Sequence, residues 1–246
     1  MCINMKKDLK RLYNKSKEEY FEYLRKNIKD NKKTFIITAN PETFMLIEKD
    51  KEINDMFNDK KVSIVPDGIG LIKTCHLLNI DIKERIAGID IAVKLLELSD
   101  EMKKKVYLFG SSEETIIAMK KKIKENYPGI KLVGATNGYI TDKDNEMDKI
   151  AKTKPDVIMI ALGIPAQEKL IYKHLDKFDK GIFIGVGGSF DVISGIKKRA
   201  PKIFIKLNCE WLYRLLKEPK RIKRFYNSNI NFLFKVLKIK YGKISK

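Results

Sequence analysis

Six short apolar runs, each closed by a turn and followed by a stretch with helical spacing, dominate the chain up to Pro201. They fall at residues 34–38, 62–65, 106–109, 132–135, 157–162 and 182–186. Short apolar strands that alternate with helices specify a mostly parallel sheet of about six strands with helices on both faces, a Rossmann-like α/β fold. Crossovers between parallel strands are right-handed, so the strand-to-helix loops gather along one edge. Open α/β sheets bind their ligands there. The loops carry Thr38 and Asn40, Asp67, Gly110 and Ser111, Asn137 and Tyr139, Gly163 and Gln167, and Gly187 through Asp191.

The connecting helices are expected at residues 43–56, 69–78, 86–98, 113–127 and 167–178, with another ending near Met147, and charged helical turns precede Asn31. Ser112 followed by Glu113 and Glu114 has the composition of a helix N-terminus. Beyond Ala200-Pro201 the pattern changes to basic amphipathic segments at residues 203–216 and 230–239, separated by Pro219. The chain therefore divides into an α/β body, residues 1–196, and a basic helical appendage, residues 197–246.

Charge supports that division. The chain is 246 residues long with a net charge of +19, and residues 197–246 hold 16 lysines and arginines against two acids. A cationic appendage on a nearly balanced body calls for a polyanionic partner, either an anionic membrane surface or a nucleic acid. Amphipathic helices rich in lysine and bulky apolar residues lie in a membrane interface; a hairpin docked on its own sheet has the same pattern, and both readings stand. No run approaches the roughly 18 apolar residues of a membrane span. The charged N-terminus lacks the apolar core of a signal peptide, and Cys2, Cys75 and Cys209 form neither a metal cluster nor a disulfide framework. These features predict a cytoplasmic protein with no resident metal or other cofactor.

The carboxylate best placed for chemistry is Asp67. Pro66 ends its strand and Gly68 frees the turn after it, which presents the acid at a strand tip. Most Asp-Gly pairs serve as plain turns, and on this stretch alone that reading of Asp67 comes first; the other strand-tip loops along the same edge turn the balance toward chemistry. His76 and His174 stand far apart without cysteine pairs and are expected to be surface or packing residues. Asp142-Lys143-Asp144 suits a capped, solvated turn better than a metal clamp. Charge on a departing phosphate would then fall to arginines and backbone donors. Arg214, Arg221 and Arg224 come near one face on a helical path, with Arg199 before them; a solvated basic face has the same spacing. The glycine turns LFGSSEET and GVGGSFD could face an anion, although neither spells a dinucleotide or Walker loop.

Taken together, TANPETF, VPDGIG, ERIAGID, LFGSSEET, DVIMIALGIPAQE and GVGGSFDVISGIKKRAP resemble, in content and order, the WecG/TagA/CpsF glycosyltransferases, family 26. The basic tail with Trp211 and the three arginines is similar to the appendage of its teichoic-acid branch. The resemblance implies an inverting, metal-independent transfer of N-acetyl-mannosamine from UDP to the 4-hydroxyl of N-acetylglucosamine on undecaprenyl diphosphate. By that resemblance Asp67 is the general base, with Thr38 and Asn40 around sugar and acceptor and Gln167 contacting the sugar. Tyr139 stacks the uracil and Asp191 binds the ribose, while Arg85, Gly110, Ser111, Gly163 and Gly187 line the substrate and nucleotide site. Arg214, Arg221 and Arg224 reach the diphosphate from the tail.

The implied partners are a UDP-sugar donor, a lipid-diphosphate-linked N-acetylglucosamine acceptor and the anionic inner face of the cell membrane, with self-association through the apolar tail when no membrane is present. N-acetyl-mannosamine uronate and glucose are alternative donors within the family. A nucleic-acid module is disfavoured because aromatic residues are not interleaved along a groove. A nicotinamide oxidoreductase is disfavoured because no G-x-G-x-x-G turn follows the first strand.

Overall fold

The computed structural model describes residues 2–242; the side chains of residues 2–4, 221 and 224 lie outside that description. In chain order the elements are α1 (Cys2–Leu9), α2 (Lys17–Lys29), β1 (Lys33–Ala39), α3 (Pro41–Ile47), α4 (Lys51–Asn58), β2 (Val62–Pro66), α5 (Ile69–Leu77), α6 (Gly88–Glu101), β3 (Lys105–Gly110) and α7 (Glu113–Asn126). They continue with β4 (Lys131–Thr136), α8 (Lys143–Lys152), β5 (Val157–Ala161), α9 (Ala166–His174), β6 (Gly181–Gly185), α10 (Ser189–Ile193), α11 (Lys202–Lys206), α12 (Glu210–Lys217) and α13 (Arg221–Tyr241).

The six strands form one sheet in the order β2-β1-β6-β5-β3-β4, and every pairing is parallel. Strand residues alternate between two apolar layers, as a period of two requires. Phe35, Ile37, Tyr107, Phe109, Ile158, Ile160 and Phe183 face the layer under α3, α4, α8 and α9. Ile36, Val106, Leu108, Val157, Met159, Ile182 and Ile184 face the layer under α2, α6 and α7.

Two expected helices are interrupted, each by an identifiable cap. The stretch at 43–56 divides because Asp50 accepts hydrogen bonds from the backbone N–H groups of Glu52 and Ile53 and so starts α4. The stretch at 203–216 divides because Asn208 takes a left-handed φ of 57°. The N–H groups of Asn208 and Cys209 return to Ile205 and Phe204, a Schellman closure of α11. The helix expected to end near Met147 runs on to Lys152, starting at Lys143 after the N-cap Asp142, whose side chain accepts from the Asn145 N–H.

The tail is both docked and exposed. Along α13, Ser228, Phe232 and Val236 recur at every fourth position and are buried. Phe232 packs on Phe44 of α3 with ring centroids 5.8 Å apart, and Lys235 pairs with Glu48 at the end of that helix. Trp211 of α12 stacks flat on Phe225 of α13, with centroids 4.9 Å apart. The other faces leave Ile203, Leu207, Leu212, Leu216, Ile222, Tyr226, Leu233 and Phe234 exposed. Among the described residues, no helix is long and apolar enough to cross a membrane.

Candidate active site

Strand order sets the sequence-predicted residues side by side along the carboxyl edge of the sheet. From one end to the other the strand tips carry Asp67, then Thr38 and Asn40, Gly187, Gly163 and Gln167, Gly110 and Ser111, and finally Asn137 and Tyr139.

Parallel register pairs Thr38 with Val65 and Ala39 with Pro66, and the Asp67 N–H donates to the Ala39 carbonyl at 2.8 Å. This fixes the base of the Asp67 side chain. Gly68, at φ 113°, supplies the positive φ that turns the chain into α5. The Asp67 carboxylate then takes one donor on each oxygen: Arg85 Nε on Oδ1 at 3.0 Å and the Gly88 N–H on Oδ2 at 3.1 Å. Gly88 opens the 14-residue α6, so the acid also sits at the positive end of a helix dipole. Its side chain remains 28% exposed. Fixed by two donors and open to solvent, such a carboxylate can accept a proton from an approaching hydroxyl.

Arg85 does not serve Asp67 alone. Its Nη2 donates to Glu210 Oε2 at 3.0 Å, across 125 positions of sequence. Glu210 Oε1 accepts from Arg199 Nε at 3.3 Å, and Arg199 Nη2 donates to Asp90 Oδ1 at 2.8 Å. Burial opposes the charge on Arg85, yet Asp67 and Glu210 outweigh it and hold the guanidinium more firmly protonated than usual. Burial likewise pushes the Glu210 carboxyl up, but Arg85 and Arg199 outweigh it and leave the group below its ordinary value.

Asn40 is the N-cap of α3: its Oδ1 accepts from the Thr43 N–H at 3.1 Å. Gln167 is only 2% exposed. Its Oε1 accepts from the N–H groups of Gly163 and Gly187, at 3.0 and 3.1 Å, and its Nε2 donates to Glu168 Oε1 at 2.7 Å. One buried amide thereby ties the loop after β5 to the loop after β6. Gly185 makes room for it, since a Cβ there would lie 2.4 Å from Gln167 Nε2.

Ser111 follows Gly110 with a left-handed φ of 58°, a strained conformation of the kind that functional loops retain. Its hydroxyl and that of Thr115 both donate to Asp191 Oδ1 at 3.1 Å, and Lys197 Nζ lies 3.1 Å from Asp191 Oδ2. At the outer strand, Asn137 Oδ1 accepts from the Tyr139 N–H, and the Tyr139 ring is 84% exposed. Beside it a cavity of about 450 Å³ opens between α8 and α9, lined by Gly138, Leu162, Lys169 and Lys173; Asp67 lies at the other end of the edge. Arg214 is exposed on α12. Arg221 and Arg224 begin α13, and their side chains lie outside the described residues. His174 is buried against Asp144, and His76 bonds the Ile82 carbonyl. Among the described residues no group of three or more His, Cys, Asp or Glu side chains is placed to hold a metal.

Residues 9–246 match the model of the glycosyl transferase WecG/TagA/CpsF family. This chain belongs to that glycosyltransferase family. Relatives with the name N-acetylglucosaminyldiphosphoundecaprenol N-acetyl-β-D-mannosaminyltransferase include the protein of Bacillus subtilis (strain 168), 40% identical over 86% of this chain and 82% of its own length. That of Bacillus spizizenii is 39% identical over 79% of this chain and 75% of its own. That of Staphylococcus aureus (strain MW2) is 38% identical over 84% and 80%.

Within this WecG/TagA/CpsF member, several residues at the edge escape a sequence reading. Glu210, Asp90 and Lys197 stand at no strand tip and reach the site only through tertiary contact, and Thr115, at the end of LFGSSEET, is joined to Asp191 in the same way. One signal for Glu210 was present: it is one of two acids among the 16 cations of the tail.

Proposed function

We propose that this glycosyltransferase transfers N-acetyl-mannosamine from UDP to the 4-hydroxyl of the N-acetylglucosamine carried by undecaprenyl diphosphate, with inversion, in the assembly of a teichoic acid linkage unit. The observation that carries the reading is Asp67, a solvent-reaching carboxylate at a strand tip whose two oxygens are held by Arg85 and the start of α6. The shared name of relatives about 40% identical over most of their length supplies the sugars.

In a single displacement, Asp67 takes the acceptor proton as the hydroxyl oxygen attacks the anomeric carbon, and UDP departs with the electron pair of the broken bond. Thr38 and Asn40, on the adjoining strand tip, border the acceptor. Gln167 acts by holding the loops of Gly163 and Gly187 in register around the donor. The exposed ring of Tyr139 offers a stacking surface for uracil, and Asp191 with Ser111 offers hydrogen bonds to the ribose. Arg214, Arg221 and Arg224 meet the charge of the leaving diphosphate, a task that arginines and backbone donors perform without a metal.

The exposed apolar residues of α11–α13, set among lysines, lie against the anionic inner face of the cell membrane, where the lipid-linked acceptor resides. Away from a membrane the same face pairs with a second copy of the chain. The test is UDP release by the purified protein with a short-chain lipid-diphosphate acceptor and a panel of UDP-sugars, in the presence of EDTA. UDP-N-acetyl-mannosamine is expected to be the productive donor. Turnover with only the uronate or glucose donor would replace the sugar assignment, and an Asp67→Ala chain with wild-type turnover would remove the base.

A further inference from the structure

The tail holds only two acids among its 16 cations, and both are paired with cations at the sheet edge. Glu210, 3% exposed, begins α12 and lies between Arg85 and Arg199. Glu218, at the other end of that helix, lies 3.2 Å from Lys197, which itself reaches Asp191. Helix α12 is therefore a bar latched at one end beside Asp67 and at the other beside Asp191. A solvated basic face does not place its only acids in this way.

The Glu210 latch has a chemical consequence because of the shape of arginine. A guanidinium is a planar fork that binds a free carboxylate through two parallel N–H bonds. Here the fork is divided, with Nε on Asp67 and Nη2 on Glu210. With the two donors of that fork held by different carboxylates, Arg85 does not close both of them on Asp67. The aspartate keeps one arginine bond and one backbone bond, and lone pairs remain for an incoming hydroxyl. Were Glu210 withdrawn, Arg85 would be free to chelate the base.

We infer that Glu210 is a positioning residue through which the seating of the tail is transmitted to Asp67 by way of Arg85. This rests on the proposed reading of Asp67 as the base. On that view the chain is poised for transfer only while α12 is down, and an undocked tail leaves Asp67 engaged by its own arginine.

The experiment compares full-length wild type, Glu210→Gln and Arg199→Gln for sugar transfer as vesicles of mixed phosphatidylglycerol and phosphatidylcholine are added, with tryptic cleavage of the tail followed in parallel. Both variants weaken the buried latch, Arg199→Gln by removing one of its two ion pairs and Glu210→Gln by removing the charge they share, so both tails are cut several times faster in solution. Saturating vesicles hold the tail down by mass action. Arg199→Gln, which leaves Glu210 on Arg85, then returns to within about threefold of the wild-type kcat. Glu210→Gln stays about tenfold or more below it with donor KM little changed, the signature of an interaction needed only as the reaction proceeds. Glu210→Asp recovers part of the loss.

Recovery of Glu210→Gln to wild-type kcat on vesicles, or a loss confined to KM, would make Glu210 an anchor and overturn the inference. Failure of Glu210→Gln to fold would overturn it equally, since the residue would then be structural. If wild type itself transfers no sugar from any donor, it is the proposed function that fails.

Discussion

Glu168 is buried beside Gln167, and its Oε2 has no hydrogen-bond partner among the described residues. Burial pushes its carboxyl up to about 7, with Glu42 nearby adding to the effect. Between its ordinary value and about 7 the folded chain binds a proton that the unfolded chain releases, so stability falls as pH rises through that window. The shift is worth about 3 kcal/mol once complete. Glu168→Gln, which keeps the acceptor for Gln167 but has no charge to lose, is expected to melt above wild type by a margin that grows from pH 5 to pH 8 and then levels; parallel thermal scans across that range check it. Gln167→Ala should destabilise by about 1–3 kcal/mol in urea titrations, because the N–H groups of Gly163 and Gly187 lose their acceptor. Asp67→Asn is expected to cut UDP release by about 10²–10⁴ while the circular dichroism spectrum and melting temperature stay close to wild type, since Arg85 retains Glu210. Asp67 itself was legible in the sequence because Pro66 and Gly68 act locally. Its partner was not, because nothing local ties residue 85 to residue 67.

At the scale of elements, α13 carries the tail's attachment. Phe232 is 2% exposed against Phe44, and Phe232→Ala should cost about 3 kcal/mol in denaturant titrations, in the range for a fully buried aromatic ring. Helix α12 is held more by charge. Because Arg85 and Arg199 leave the Glu210 carboxyl below its ordinary value, the contribution of this latch is complete above the usual carboxylate range. It is lost as pH falls through the depressed value. Cleavage of the tail by an acid-active protease, followed at each pH against an unfolded substrate, should stay slow down to the ordinary carboxylate range and quicken below it. Apolar spacing predicted helical tail segments, but not the break at Asn208, where a left-handed residue closes α11 and lets α12 turn across the edge.

At the scale of the whole molecule, ten of the fourteen large apolar side chains exposed among the described residues lie between Ile203 and Tyr241. A patch of that kind, set among cations, is expected to bring the protein down with phosphatidylglycerol vesicles and to leave it largely in solution with neutral ones. Co-sedimentation at rising salt should weaken the binding without abolishing it, since the apolar contribution is not screened. Equal binding to neutral vesicles would point to the apolar face alone.

The six-fold alternation of strand and helix, the acid at the second strand tip and the cationic tail all follow from the sequence by itself, because steric limits at proline and glycine and the two hydrophobic periods act over a few residues. Only the tertiary structure decided the order of the strands, the use of both ends of the Gln167 amide inside the fold, and the junction of Asp67, Arg85 and Glu210. Those depend on which segments become neighbours, a property of packing and charge pairing between residues as much as 125 positions apart, and no local preference encodes it.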